Sequence, residues 1–257
     1  MTLKPQAFDG LAVDYNLYRS SYPDELYAAI VDFWGSSNSL QIADIGCGTG
    51  ISTRGIYRFL GGGTVVGVEP GTDMLEQARA ATIDPIVFLV GSAEAIPLET
   101  DTINIVTAAQ AAQWFDRQAF YRESKRIMAP GAIVAIYENN RDWKNNALLG
   151  AHEAFLEQYS VDKQQGLRYS RHYRDIDYET ELSQHFKTTM KAEFRRSRQM
   201  SVEEFYKMAT TSTQFKRAEI AIGVDLAKTL LLKYASKHIN LDGLLNIDLV
   251  TCLYAAK

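Results

Sequence analysis

The chain has 257 residues, 46% of them hydrophobic and 23% charged, which suits one α/β domain with a sizeable core. Its formal charge is −4, so no net positive field draws in nucleic acid or an anionic membrane. Two cysteines far apart, Cys47 and Cys252, argue against a disulfide framework. With no apolar leader and no run of ~20 apolar residues, they point to a soluble, cytoplasmic protein with no membrane partner.

In chain order, "PDELYAAIVDFW" (23 to 34) reads as a helix with proline in its first turn. "LQIADIG" (40 to 46) is a strand, "STRGIYRFL" (52 to 60) a helix stopped by three glycines, and "TVVGVE" (64 to 69) a second strand. A helix over 72 to 81, strands over 85 to 91 and 103 to 109, a helix over 117 to 128 and a strand over 132 to 138 follow. Strands apolar on both faces, separated by helices, imply a parallel sheet covered on both sides and doubly wound. Beyond 141 the spacing predicts a helix near 143 to 160 and a polar, tyrosine-rich connection at 164 to 175. A further helix, a strand near 187 to 199 and a helix at 201 to 209 with capping-box spacing between Ser201 and Glu204 come next. One helix over 216 to 237 and a last strand over 244 to 256 complete the chain. The basic stretch "FRRSRQM" (194 to 200) reads as a solvated strand face rather than a binding stripe.

"IADIGCGTG" (42 to 50) carries the strongest functional signal. Glycines at 46, 48 and 50 let the chain turn sharply from strand to helix and let a ligand touch the backbone. The turn aims N–H groups, at the positive end of the next helix, at whatever lies above the strand ends. Ile51 stands at the offset where a dinucleotide fold wants glycine or alanine, and no lysine suits a phosphate-binding loop. Glu69 ends the second strand about 20 residues on, where a carboxylate can accept both hydroxyls of a ribose.

"ADIGCGTG", "VVGVEPGTDMLEQA", "VGSAEAIPLETDTINIVTAAQAAQWFD" and "RIMAPGAIVAIYENNRD", in that order and spacing, resemble the class I S-adenosylmethionine-dependent methyltransferases. Within them the chain is most similar to the small-molecule branch (methyltransferase type 11) that includes the trans-aconitate methyltransferase-like enzymes. The resemblance covers about residues 8 to 142. It implies a Rossmann-like α/β sheet of seven strands, order 3-2-1-4-5-7-6, mostly parallel with a C-terminal antiparallel hairpin. It also implies one methyltransferase domain over 1–257: an N-terminal cap segment at 1–35 and a cofactor-binding core at 36–141. A substrate-lid insertion at 142–186 and a C-terminal part at 187–257 complete it.

Carried over residue by residue, the resemblance puts Gly46, Gly48 and Gly50 under the methionine part of the cofactor. Asp44 orients that loop and the amino group, Glu69 binds the ribose with Pro70 behind it, and Met74 packs on adenine. Ser92 and Ala93 read the adenine edge, where many relatives carry aspartate at the serine position; Glu94 either joins them or braces the loop. Gln110 touches the methionine end and Arg19 grips its carboxylate. Trp114 walls the reacting methyl, while the preceding residue, often histidine in relatives, is Gln113 here. Tyr15, Tyr18, Tyr137, Asn139, Asn140 and His172 are expected to face the substrate, with Trp114 and His172 as the catalytic candidates.

No metal-ligand cluster and no Ser-His-Asp order stands out. The expectation is methyl transfer from S-adenosyl-L-methionine, leaving S-adenosyl-L-homocysteine, to a small-molecule acceptor, with O-methylation of a carboxylate or hydroxyl favoured by family analogy. Two other readings stay open: a non-catalytic cofactor-binding or partner protein, and an N- or C-methyltransferase of a metabolite. A nucleic-acid methyltransferase would need a basic track and usually an Asn/Asp-Pro-Pro-aromatic motif after the fourth strand, where this chain has "AQAAQWFD".

Overall fold

The computed structural model describes residues 19–35, 40–160 and 176–257. Helix α1 (Asp24–Trp34) follows Pro23, and β1 (Gln41–Ile45) leads through the glycine turn into α2 (Ile51–Leu60). Then come β2 (Thr64–Glu69), α3 (Thr72–Ala80), β3 (Val87–Val90), β4 (Ile103–Ala109), α4 (Arg117–Ile127) and β5 (Met128–Arg141). The remainder is α5 (Ala147–Tyr159), α6 (Tyr178–His185), β6 (Thr189–Met200), α7 (Val202–Thr210), α8 (Thr213–Ile222), α9 (Val224–Ala235) and β7 (Leu245–Ala256).

The strands form one sheet in the order β3-β2-β1-β4-β5-β7-β6. β1 to β5 pair in parallel, whereas β7 runs antiparallel to both β5 and β6. This is the Rossmann-like sheet, in the strand order that the resemblance implies. Period-2 alternation sends the side chains of each central strand to two cores. Ala43, Ile45, Val106, Ala108, Val134 and Ile136 meet α4 and α6 on one face. Ile42, Val65, Ile105, Ile133 and Ala135 meet α1 and α2 on the other. Since both faces are covered, β1, β2 and β4 read as apolar runs. β3 lies at the edge, and Val87 and Val90 are half-exposed there.

A third core is helical. Leu148, Leu149, Phe155, Phe205, Phe215 and Leu231 of α5, α7, α8 and α9 close over the start of β7. The single helix expected over 216 to 237 is two, because Gly223 takes φ 88° and ψ 148°, outside the helical region. Gly223 is the C-cap of α8 and the N-cap of α9, so the second helix can turn back along the first. The strand expected at 132 to 138 is also longer at both ends, since β7 supplies partners out to Arg141. Ser201 and Glu204 form the reciprocal capping box that their spacing predicts.

Candidate active site

The glycine turn stands at the carboxyl end of β1, in the middle of the sheet. Gly46, Gly48 and Gly50 all have positive φ, at 69°, 55° and 76°. A Cβ on Gly46 would lie 2.7 Å from Ala111 Cβ and 2.9 Å from Phe115 Cζ, so the chain leaving β4 passes directly against the turn. A Cβ on Gly48 would meet nothing within 4 Å. The two glycines therefore do different work: Gly46 admits protein, and Gly48 faces open space above the sheet. The N–H groups of Gly46 and Cys47 both reach Val68 O, at 2.8 and 3.1 Å, which ties the turn to the end of β2.

Asp44 lies beneath the turn and is fully buried. One carboxylate oxygen accepts from Thr53 Oγ1 at 2.7 Å and the other from Thr107 Oγ1 at 2.8 Å. Burial pushes this carboxyl up to about 6 against those hydrogen bonds, which favour the ion, while the nearby Glu69 adds a smaller push upward. The three-way bond links β1, the first turn of α2 and β4. Thr53 and Thr107 escaped the sequence reading because a threonine in a helix or a strand carries no signal of its own.

Glu69, at the end of β2, closes the other side. Its Oε2 accepts from Gly48 N at 3.1 Å and its Oε1 from Gly71 N at 2.9 Å. Burial raises its pKa and the two N–H donors lower it, with burial the larger cause. Each carboxylate oxygen keeps a further lone pair, enough to accept from a diol. Met74 is buried in the first turn of α3, whereas Pro70 is exposed. Beyond β3, Ser92 bridges to Ala95, Ala93 is buried, and Glu94 Oε1 accepts from Asp116 N at 2.9 Å. Glu94 thus serves as a brace between two loops, one of the two roles expected for it.

Past β4 the chain leaves the sheet through a strained residue. Gln110 takes φ 52°, a conformation that costs a residue with a Cβ and often marks a functional turn. Its N–H donates to Tyr137 O at 2.8 Å, and its Oε1 accepts from Asn139 N at 2.9 Å, so it clasps the end of β5. Gln113 Nε2 donates to Gln110 O at 3.0 Å, whereas Gln113 Oε1 is buried with no hydrogen-bond partner among the described residues. Trp114 ends a single 3₁₀ turn, Ala112–Trp114, and is half-buried over this edge.

The stretch that builds this site is similar to known proteins. Residues 43–136 match the family described as "Methyltransferase domain". Over that stretch, a little over a third of its length, the chain is similar to methyltransferases. A Dictyostelium discoideum protein described as a methyltransferase is 28% identical over 199 residues, 77% of this chain and 73% of that protein. An uncharacterized methyltransferase of Mycobacterium tuberculosis is 36% identical over 129 residues, and the match spans half the length of each. Among solved structures, one described as a type II methyltransferase from Anaeromyxobacter dehalogenans superposes with a TM-score of 0.73 at 20% identity. It covers 93% of this chain and 98% of that one. At that identity the likeness speaks for the fold alone.

The residues around the glycine turn fit S-adenosylmethionine, the cofactor that the resemblance implies. Thr49 Oγ1, in the glycine turn, is buried with no hydrogen-bond partner among the described residues. That orphaned hydroxyl, the space above Gly48 and the spare lone pairs of Glu69 suit a polar ligand laid across the turn. Arg19 is half-buried, and its Nη2 donates to Thr211 O at 3.2 Å. Two of the residues expected to face a substrate are committed elsewhere. Tyr137 is fully buried, its hydroxyl 2.5 Å from Ser52 Oγ, because odd positions of β5 face α1 and α2. Asn139 donates through Nδ2 to the Ser20 and Ser21 carbonyls at 3.3 and 3.1 Å and accepts from Thr251, so it fastens the N-terminal segment. Asn140 is exposed, its Nδ2 3.8 Å from Cys252 Sγ. Tyr15, Tyr18 and His172 lie outside the described residues.

Proposed function

We propose that this protein is a methyltransferase that transfers the methyl group of S-adenosylmethionine to a small-molecule acceptor, an oxygen nucleophile in the form of a carboxylate or an acidic hydroxyl. The observation that carries the cofactor half is the pair formed by the open Gly48 and the Glu69 carboxylate across it. Gly46, Gly48, Gly50, Glu69, Pro70, Met74, Ser92, Ala93 and Gln110 would line the cofactor, with Asp44 bracing the turn from beneath and Arg19 at its carboxylate. Residues 36–141 would form the cofactor-binding part, in a cytoplasmic enzyme; the lid expected at 142–186 does not extend to α6, which packs in the core of the sheet.

The acceptor half rests on what the exit of β4 offers. Gln110, Gln113 and Trp114 include no base. His152 is buried in the helical core beside Phe205, and His185 lies against Tyr121 with 4.7 Å between ring centroids. Neither packs at the glycine turn. The sulfonium supplies a methyl group on a good leaving group, so a nucleophile that arrives ionised needs no proton removed. The chain's share of the work is then to align that nucleophile and to exclude water. The Trp114 ring suits the face of a cationic centre that loses its charge during transfer.

The test is turnover of methyl-labelled cofactor with a panel of carboxylic acids, phenols and amines. Label released as methanol on mild alkaline hydrolysis identifies a methyl ester, and label stable to base on a phenol identifies an ether. Transfer to amines alone would reject the oxygen-acceptor reading. Tight cofactor binding with no turnover on any acceptor would favour a binding protein.

A further inference from the structure

Glu138 lies between the two residues of β5 that Gln110 clasps. Gln110 N–H donates to Tyr137 O at 2.8 Å, and Gln110 Oε1 accepts from Asn139 N at 2.9 Å. The backbone of Glu138 therefore runs directly beside the strained exit of β4. Its neighbours Tyr137, Asn139 and Asn140, not Glu138 itself, carry the sequence-based expectation of substrate contact. Alternation along the strand favours Glu138 instead, because even positions of β5 follow Val134 and Ile136 onto the face that α4 and α6 cover.

The Glu138 side chain is buried, with 9% of the residue exposed. Tyr178, in the first turn of α6, donates its hydroxyl to Glu138 Oε1 at 2.9 Å. Among the described residues Oε2 has no hydrogen-bond or ion-pair partner. The neighbours on β7 are neutral: Cys252 stands opposite Glu138, and the Tyr254 ring lies 5.5 Å from that of Tyr178. Two cations on this side of the sheet are paired with other carboxylates, Lys191 with Glu179 at 3.6 Å and Arg117 with Glu181 at 2.7 Å.

Burial raises the pKa of the Glu138 carboxyl, and the Tyr178 hydrogen bond lowers it by less. Nothing in the packing asks for a charge here. A glutamine would accept from Tyr178 as well and would cost less to bury. A buried carboxylate with no cation beside it is relieved by a ligand that brings a donor.

A second acceptor oxygen near Gln110 is in the same condition. Gln113 Nε2 donates to Gln110 O at 3.0 Å, which fixes the orientation of the amide and leaves Oε1 buried with no partner among the described residues. Two acceptors without donors thus attend Gln110, one on β5 and one in the turn after β4. Both lie at the carboxyl edge of the sheet, where open α/β sheets bind their ligands.

We propose that Glu138 binds the hydrogen-bond-donating end of the methyl acceptor, so that the acceptor is a small molecule with a hydroxyl or an ammonium group besides its nucleophilic oxygen. The inference rests on the methyl-transfer reading above. It also orients the acceptor, since an ionised Glu138 repels a bare carboxylate and turns the nucleophilic oxygen away from itself. An ammonium compensates the charge and is favoured over a hydroxyl.

The experiment is calorimetric titration of the full chain, with and without saturating S-adenosylhomocysteine, using two matched series of probes. One is propanoate, lactate and alanine; the other is 3-phenylpropanoate, 3-phenyllactate and phenylalanine. Within a series only the group on the second carbon changes, from hydrogen to hydroxyl to ammonium. Expected is binding of a donor-bearing member at least about tenfold tighter than its parent acid, with the ammonium compound tightest. Glu138→Gln keeps an acceptor for Tyr178, so it should melt no lower than the wild type and should reduce the ammonium preference to that for hydroxyl or less. Tyr178→Phe removes the hydrogen bond and leaves the carboxylate, so it should lower the melting temperature and keep the preference. Parent acids bound as tightly as the rest, no member bound, or a preference unchanged in folded Glu138→Gln would overturn the proposal. The two readings fail separately. Donor preference without S-adenosylhomocysteine binding rejects methyl transfer and keeps the Glu138 site; S-adenosylhomocysteine binding without donor preference does the reverse.

Discussion

At the scale of single residues, Asp44 is the group whose chemistry the fold has altered most usefully. Its carboxyl titrates near 6 in the folded chain against 3.8 for an ordinary aspartate, through burial. An acid with a raised folded pKa binds its proton more tightly when folded. Its penalty is therefore absent below the unfolded value and grows as pH rises from about 4 to about 6. Asp44→Asn should flatten that part of the stability profile, which denaturant titrations between pH 4 and 7 would measure. Cofactor binding should follow the opposite course. A cationic amino group over the turn favours the ionised carboxylate, so S-adenosylhomocysteine affinity should fall below about pH 6, by up to about tenfold per unit. A flat affinity profile from pH 5 to 8 would mean that Asp44 is electrostatically silent and only braces the turn.

The residue scale is also where sequence and structure part most clearly. Gly46, Gly48, Gly50 and Glu69 were legible because strand-turn-helix geometry constrains residue type at those positions. Tyr137 and Asn139 misled because the end of β5 reads as one edge, whereas alternation sends odd positions toward α1 and the N-terminal segment. Nothing in "IYENN" tells which face is the open one.

At the scale of elements, the parallel strands could be read almost to their ends, because burial on both faces leaves unbroken apolar runs bounded by glycine or proline. The α8–α9 break could not, because one glycine inside a helical pattern costs only about 1 kcal/mol and is often tolerated. The attachment of α6 to the sheet also depends on contacts that no local pattern carries. Arg117 of α4 makes a paired contact with Glu181, at 2.7 and 2.9 Å, and Tyr121 donates to the same carboxylate at 3.1 Å. About three quarters of each ion-pair side chain is shielded from solvent. Arg117→Ala should therefore cost about 1–3 kcal/mol. Hydrogen exchange should speed up in 178–185 ahead of the sheet. Uniform protection in the variant would show that Tyr178 and Leu182, buried in the core, hold α6 without help from the ion pair.

At the scale of the whole molecule, the sheet gathers at one edge what the chain scatters over 100 residues. The glycine turn follows β1, the carboxylate of Glu69 ends β2, the strained Gln110 ends β4, and its clasp is on β5. The antiparallel pair β6–β7 then widens the sheet and supplies the base on which the helical core rests. Cofactor binding should stabilise the whole sheet rather than one loop.

The most direct test is calorimetric titration with S-adenosylhomocysteine, alongside NADH, for the wild type and for Glu69→Ala. Saturable binding of S-adenosylhomocysteine alone, weakened by at least about thirtyfold in a variant that melts as the wild type does, is the expected result. Absence of S-adenosylhomocysteine binding by the folded wild type, or affinity unchanged by Glu69→Ala, would contradict the placement of the cofactor across the glycine turn.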